Sequence, residues 1–209
     1  MRSKLLFVFA AVLLLSSSTG AIAAQRSNVV PPTGKVAGHG YAYWMERHQQ
    51  FAFSLSHPTS SPCNSLTANG KRVAFFVGVG TGTHSCSEPV GRPIYVNVVS
   101  AWCSTFAGDH DGFGTSDAEL QACSSHAFAQ VGTASGTVDG QAVNLEALVA
   151  ATGGFPVHAV PGNVLGLPAG NGRAAADGIG LLLTGFSKGT HTIHYIVQGH
   201  NVTYIVHVS

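Results

Sequence analysis

The sequence predicts a mainly β protein, an antiparallel β-sandwich with one or two short helices. Two features of the whole chain favour this fold class. It contains about seven to nine short segments with strand character, and its composition combines 26 glycines in 209 residues with only 9% charged residues. Short strands joined by Gly-rich turns fit that composition better than helices on a charged surface. The third observation is a regular alternation near residue 200.

This alternation of apolar and polar residues covers 190–197 and 202–208. It is typical of an antiparallel strand pair with one buried face. Gly199 fits the first central position of a two-residue type II′ turn, and the turn fixes the register of the pair. In that register Tyr195 lies directly opposite Tyr204 on the apolar face. The prediction therefore specifies individual residue pairs.

The remaining elements are predicted from local signals. β-Branched and aromatic runs bounded by turn residues predict further strands at 51–55, 73–79, 94–99, 155–160 and 179–184. Ser116 and Glu119 form a capping box, which predicts a helix that ends near residue 130. Val138–Gln141 is a hairpin signal. The segments 56–70 and 80–84 are predicted to be loops, because polar and turn-forming residues dominate them.

Residues 1–24 are predicted to be a signal peptide. Arg2 and Lys4 supply the positive start, 5–15 the apolar core, and 21–23 the small residues before a cleavage site. The apolar core is too short to span a bilayer well. No later run reaches about 18 apolar residues, so no transmembrane helix is predicted.

The chain beyond this leader is predicted to be one exported domain. Residues 25–38 form a polar, Pro-containing lead that is expected to be mobile, and 39–209 form a single disulfide-bonded domain, since no linker or repeat divides them. The expected location is outside the cell or in the cell envelope, extracellular or periplasmic. Without the leader, the chain contains eight basic and nine acidic residues. No basic patch remains, which argues against a nucleic-acid partner.

The four cysteines predict two disulfide bonds, because an even number is typical of exported chains. Three pairings are possible, and the pairing of sequence neighbours, Cys63 with Cys86 and Cys103 with Cys123, is favoured. The spacing lacks the Cys-x-x-Cys of zinc knuckles. Each bond closes a loop of about twenty residues and is expected to contribute about 3 kcal/mol.

Four segments together resemble a family of exported bacterial proteins of unknown function. They are 71–78, 86–99, 155–167 and 177–208. The family shares a Val-x-Phe-Leu-x-Gly strand, a Cys-x-Val-Pro-x-Gly-Lys turn and an Ala-Asp-Gly strand, and it ends in Gly-x-His-x-Ile and Val-x-Tyr-x-Val. The turn at 88–92 departs from the sequence pattern of the family. The resemblance implies an immunoglobulin-like (Ig-like) β-sandwich and export, and it implies no reaction.

Histidine is the unusual residue of this composition, with 11 in the chain. In the predicted register His194 and His207 lie diagonally on one face of the sheet, and His200 lies at the turn. These three are candidate ligands for zinc or copper. They are also consistent with ordinary surface residues. His191 falls on the apolar face and is expected to have a hydrogen-bond partner.

Two motifs resemble a catalytic site and a calcium site, but the residues around them do not fit either site. The Gly-x-Ser-x-Gly pattern at 185–189 matches a nucleophile elbow, but it joins two predicted strands and no acid follows Ser187. Asp109–Gly112 resembles part of a calcium loop, but position 12 is Leu120 where a glutamate is needed. No catalytic residues and no resident cofactor are therefore predicted.

The aromatic residues leave one further possibility. Tyr41, Tyr43, Trp44 and Trp102 either form a platform for a sugar ring or fill the core of the sandwich. The sequence thus offers three hypotheses of function: a non-catalytic binding or cell-surface role, histidine-based metal binding or metal-dependent activity, and carbohydrate binding through surface aromatics such as Trp44 or Trp102. The first is favoured, because no catalytic constellation is visible.

Overall fold

The structure is a computed structural model, and it describes residues 28–56, 61–77, 80–108 and 112–209. The predicted signal peptide and Asp109–Asp111 of the rejected calcium motif lie outside these ranges. Within them, no helix has the length and apolarity needed to cross a membrane. The elements are α1 Tyr41–Phe53, β1 Cys63–Ala68, β2 Lys71–Phe76, β3 Gly82–Glu88, β4 Ile94–Ser104, α2 Asp117–Phe128, β5 Ala134–Val138, β6 Gln141–Val143, a 3-10 turn Glu146–Leu148, β7 Val149–Ala151, β8 Phe155–Ala159, β9 Gly170–Leu183, β10 Gly189–Val197 and β11 His200–Val208.

The strands form two sheets that pack against each other, which confirms the predicted β-sandwich. The first sheet has the order β1-β2-β4-β9-β7, with β8 also paired to β9, and the second has the order β3-β11-β10-β5-β6. Most pairs are antiparallel, but β2 with β4 and β3 with β11 are parallel. The purely antiparallel expectation is wrong at these two places. Between β2 and β4 the chain crosses into the second sheet to form β3, and it then returns in its original direction.

The main core lies between the two sheets. Tyr195 and Tyr204 are both buried there, on the same side of their sheet as predicted, with ring centroids 6.5 Å apart. Tyr204 also stacks on Phe76 of the first sheet at 5.0 Å. Burying side chains of this size stabilises the folded state by about 1.5–3 kcal/mol each. The aromatic contacts therefore hold the two layers together.

The register of the β10–β11 hairpin differs from the prediction by two residues. Val197 pairs with His200 instead of Val202. Gln198 and Gly199 are the two central residues of the turn, and both have positive φ, 49° and 77°. These angles belong to a type I′ turn, not type II′. Because the shift is an even number of residues, each side chain keeps its predicted face.

α1 replaces the strand predicted at 51–55. Its buried residues recur at helical spacing; they are Tyr41, Trp44, Met45, His48, Gln49 and Phe53. A period near 3.6 identifies a helix with one face toward the core. The short Phe-Ala-Phe alternation at 51–53 imitates a strand only when it is read without the ten residues before it.

The two helices cover opposite faces of one strand. Met45 of α1 packs with Ala174 and Ala176 of β9, whereas Leu120 of α2 packs with Ala175. The predicted cap of α2 is present, since Ser116 Oγ accepts a hydrogen bond from the Glu119 backbone N–H at 3.3 Å. β9 is consequently buried on both faces from 174 to 183.

The lead predicted to be mobile packs against the domain over the part that the structure describes, 28–38. Val30 N donates to Leu182 O at 2.8 Å, and Tyr41 Oη donates to Val30 O at 2.5 Å. Val30 and Val36 are both in the main core. These two valines bury apolar surface within an otherwise polar segment, and the mobility of the lead stays a prediction.

Both predicted disulfides are present. Cys63–Cys86 joins β1, an edge strand of the first sheet, to β3, an edge strand of the second. Cys103–Cys123 joins β4 to α2. One bond therefore connects the two sheets at an open side of the sandwich, and the other holds a helix on the outside of the first sheet.

Candidate functional site

A cavity of about 270 Å³ lies at one end of the sandwich, between the two sheets. The first sheet contributes residues 97–99 of β4, α1 contributes His48, and the β10–β11 hairpin contributes Tyr195, Gln198 and His200. Valines of both sheets complete the walls. Small-ligand sites are usually concave, mostly apolar and equipped with a few polar groups. This cavity meets that description.

A bulge in β4 shapes one wall of the cavity. Asn97 pairs with Gly180 and Val99 pairs with Ile179, so Val98 is an extra residue in the ladder. In a regular strand, consecutive side chains point to opposite faces. The bulge breaks that alternation and lets three consecutive residues line the same cavity.

Two buried polar atoms of the lining residues have no hydrogen-bond partner. They are Nδ1 of His48 and Oδ1 of Asn97. In the described parts of the chain, Tyr204 Oη alone shares this condition among buried side-chain atoms. Leaving such an atom unpaired costs about 1–3 kcal/mol. Both residues line the same cavity, which makes this cavity the candidate binding site of the described chain.

Burial lowers the pKa of His48 to about 4. The residue is 9% exposed, and its ring lies 5.6 Å from the ring of Phe75. The imidazole is consequently neutral near pH 7, with one donor nitrogen and one acceptor nitrogen. The described residues that line the cavity include no Asp, Glu, Lys or Arg. The buried part of the cavity, around His48, therefore offers polarity without formal charge.

A small network fixes the orientation of Asn97. Its Nδ2 donates to Ser100 Oγ at 3.3 Å, and Gln49 Nε2 donates to the same oxygen at 2.7 Å. Gln49 is itself buried, which holds the network in place. With Nδ2 engaged, the carbonyl Oδ1 is left as an acceptor.

A second cavity of about 250 Å³ adjoins the first and shares Val99 and Gln198 with it. Trp102 lines this second cavity and is half-buried, packed edge-on against Phe53 at 5.0 Å. Trp44, the other tryptophan considered for a sugar platform, is completely buried in the main core. That assignment is wrong for Trp44, because it belongs to the inward face of α1.

The structure does not bring the three predicted metal ligands together. His194 pairs with Thr203, which is four residues along β11 from His207, a separation of about 13 Å. His200 pairs with Val197 and so lies on the opposite face of the sheet. The corrected register thus removes the diagonal neighbours on which the metal hypothesis depended.

Each of these histidines has a local partner instead. His194 Nε2 lies 3.0 Å from Asn201 Oδ1, His200 Nδ1 lies 3.2 Å from Thr81 Oγ1, and His207 Nδ1 lies 3.2 Å from Thr190 Oγ1. Over the described residues, no group of three or more His, Cys, Asp and Glu side chains is placed to hold a metal ion.

His191 has the expected partners, and more than one. Its Nδ1 lies 2.7 Å from Asp139 Oδ2 and its Nε2 lies 2.9 Å from the Ser187 carbonyl oxygen. Burial alone lowers the pKa of His191, but the bonds to Asp139 and to the Ser187 carbonyl outweigh it, and the net pKa is raised. Both nitrogens donate in this arrangement, which we call the His191 clasp. Since Nε2 faces a carbonyl and not the Ser187 hydroxyl, the clasp does not activate a nucleophile.

A buried carboxylate near α2 was not anticipated from the sequence. Asp177 is 6% exposed and accepts hydrogen bonds from Ser124 Oγ at 2.5 Å, Gln121 Nε2 at 2.9 Å and Ser125 Oγ at 3.1 Å. Donors from one helix surround it completely enough to compensate for its burial. Asp177 therefore attaches α2 to β9.

Comparisons of the chain with known protein families, with curated proteins and with solved structures gave no match. The resemblance to exported bacterial proteins stays a prediction.

Proposed function

We propose that the protein is exported to the cell envelope or the outside of the cell, where it binds a ligand in the inter-sheet cavity without transforming it. The observation that carries this proposal is the pair of unpartnered buried atoms, His48 Nδ1 and Asn97 Oδ1, in residues of one cavity. A fold gains nothing from burying unpaired polar atoms. A ligand that pairs with them removes that cost.

The chemistry of the cavity favours binding over catalysis. General acid–base catalysis needs a group that titrates near the working pH within reach of the substrate. The described lining of the cavity has no carboxylate, and His48, with a pKa of about 4, stays neutral. The second histidine of the lining, His200, has the Thr81 hydroxyl and not a carboxylate as its partner, so the cavity contains no His–carboxylate pair. The His191–Asp139 pair has both imidazole nitrogens engaged, and it lies near the opposite end of β10.

Export is supported by two separate features. Residues 1–24 have the charged start, apolar core and small residues of a leader sequence. All four cysteines are paired, which suits an oxidising compartment. An Ig-like relationship to the exported bacterial family is part of the same proposal, and it is supported by the sequence segments quoted above.

A fragment screen by NMR tests the binding function. We expect some neutral fragments to shift the amide signals of residues 97–99 and 195–202 in the isotope-labelled, disulfide-bonded protein. His48→Phe removes the imidazole and is expected to weaken those fragments. His158→Phe is the matched control, because His158 is an exposed histidine that pairs with Asn171 at 2.8 Å. Fragments that map only to other surfaces would overturn the site. Turnover of an extracellular substrate that one point substitution abolishes would overturn the non-catalytic assignment.

A further inference from the structure

The two unpartnered atoms specify what the ligand must supply. Asn97 Oδ1 can only accept, because Nδ2 of the same amide donates to Ser100 Oγ. Nδ1 of the neutral His48 ring accepts in one tautomer and donates in the other. A hydroxyl group both donates and accepts, so it satisfies Asn97 and also suits either tautomer of His48. A carboxylate offers Asn97 Oδ1 no donor.

The lining also specifies the charge of the ligand. The described residues around the cavity include no Asp, Glu, Lys or Arg. Of its two histidines, His48 is buried with its pKa lowered to about 4, and His200 is exposed at the hairpin turn. An ion that enters such a site loses hydration and finds no opposite charge in return. The buried part of the site, beside His48, therefore selects neutral molecules.

The apolar residues of the cavity lining indicate that the rest of the ligand is apolar. Val98, Val197 and Val202 line the cavity, and so does Tyr195. About 270 Å³ accommodates a small molecule. Only two buried polar atoms of the lining residues lack partners. A sugar with a hydroxyl on every carbon would therefore place some hydroxyls against the valines, where they stay unpaired.

We infer that the cavity binds a small neutral molecule that carries one or two hydroxyl groups on an apolar body, an alcohol or a phenol. This inference rests on the proposed binding function and names its ligand class. Gln198 and His200 at the hairpin turn are exposed, as is Gly80, so the ligand enters between the turn and Gly80.

Three aromatic probes of similar size test the ligand class by NMR titration of the disulfide-bonded protein. Phenol has a hydroxyl donor, anisole has the same oxygen without its hydrogen, and benzoate is charged. We expect phenol to shift the amides of 97–99 and 195–202, and anisole to bind at least about tenfold more weakly, because it leaves Asn97 Oδ1 unpaired. We expect no saturable shift with benzoate. Glucose, added as a fourth probe, is also expected to give none.

Asn97→Leu separates the hydrogen bond from simple apolar binding. The variant is expected to lose the preference for phenol over anisole, so that the two probes bind about equally well. Asn171→Leu is the matched control at the exposed His158–Asn171 pair, and it is expected to keep the preference. The comparison of phenol with anisole in the unsubstituted protein needs no variant, so the test survives if Asn97→Leu fails to fold.

The outcomes distinguish a wrong ligand class from a wrong binding function. Equal binding of phenol and anisole at the cavity overturns the hydroxyl requirement and leaves the binding function standing. Tighter binding of benzoate or glucose at the cavity overturns the ligand class in the same way. If no probe shifts the cavity amides and the fragment screen also gives no hit there, the ligand class and the proposed function fail together.

Discussion

At one end of strand β10, His191 is held by Asp139 and by the Ser187 carbonyl, and its pKa is raised. At the other end, Tyr195 borders a cavity that it shares with His48, whose pKa burial lowers to about 4. At the first end the histidine has a raised pKa and both of its ring nitrogens are paired. At the second end the histidine is neutral, with one nitrogen unpaired.

This difference separates a structural histidine from a candidate binding histidine. A paired imidazolium strengthens the hairpins that it connects, and nothing is left over for a ligand. An unpaired buried nitrogen destabilises the fold, and it is still able to form a hydrogen bond with a ligand. The two ends should therefore respond in opposite ways to pH and to substitution.

The largest expected effect is the loss of stability on acidification that His48 causes. Its folded pKa lies near 4 and its unfolded pKa near 6.5. As the pH falls below 6.5 the unfolded chain takes up the proton first, so the free energy of unfolding decreases by about 3 kcal/mol by pH 4. Urea unfolding at pH 7, 5.5 and 4 measures it. His48→Phe is expected to lack this part of the acid loss and His158→Phe to keep it. The prediction would be contradicted if the free energy of unfolding of His48→Phe fell between pH 7 and pH 4 by as much as that of the unsubstituted protein.

Removing the charge of Asp139 tests the His191 clasp at the opposite end of β10. His191 has a raised pKa, so its contribution is complete below the unfolded pKa near 6.5 and is lost as the pH rises through the folded pKa. Asp139→Asn is expected to lower the free energy of unfolding by about 1–2 kcal/mol at pH 5, and by less at pH 9. Asparagine tolerates the positive φ of 50° at this position.

The control for Asp139 is Asp117→Asn, which removes an exposed ion pair with Arg173. Arg173 keeps its charge over this pH range, so the control is expected to show no such dependence between pH 5 and pH 9. An Asp139→Asn variant that behaves like the control would show that the clasp is not charged.

A smaller effect is expected when Asn97 becomes leucine. The substitution removes a buried carbonyl that has no partner, so the free energy of unfolding should change by less than about 1 kcal/mol. Asn163 is the comparison, since it is buried and bonds to Val160 O and Leu167 O, with Leu167 N donating to its Oδ1. Asn163→Leu is expected to cost about 2 kcal/mol. Similar losses in both variants, measured by urea unfolding, would mean that Asn97 is fully paired.

The smallest effect is expected on the outer face of the second sheet. The double variant His194→Ala, His207→Ala should change the free energy of unfolding by less than about 0.5 kcal/mol. Thermal scans with added zinc should then give the same shift for the variant and the unsubstituted protein. A zinc-dependent rise that only the unsubstituted protein shows would return these histidines to consideration as ligands.

The elements with strong local signals could be predicted from the sequence. The alternation around Tyr195 and Tyr204 gave the correct buried face, and the capping box at Ser116 gave the correct start of α2. The hairpin register was wrong because Gly199 suits either of two turn types. The type I′ turn needs a positive φ at Gln198 as well, which is uncommon for glutamine.

Elements that depend on neighbours were missed. β1 and β3 are polar edge strands, and their pairing with β2 and β11 supplies what their composition lacks. The site was missed for a similar reason. His48 lies on the inward face of a helix that was read partly as a strand, and Asn97 reaches the cavity through a bulge that has no distinctive sequence signal.

The position of β11 has a consequence for how the molecule is made. β11 lies between β10 and β3, and its partners in β3 precede it by about 120 residues. Until 200–208 have been synthesised, β3 has no neighbour in its sheet and cannot join β10, β5 and β6 there. A ribosome that stops ahead of His200 therefore releases a product that cannot close its core.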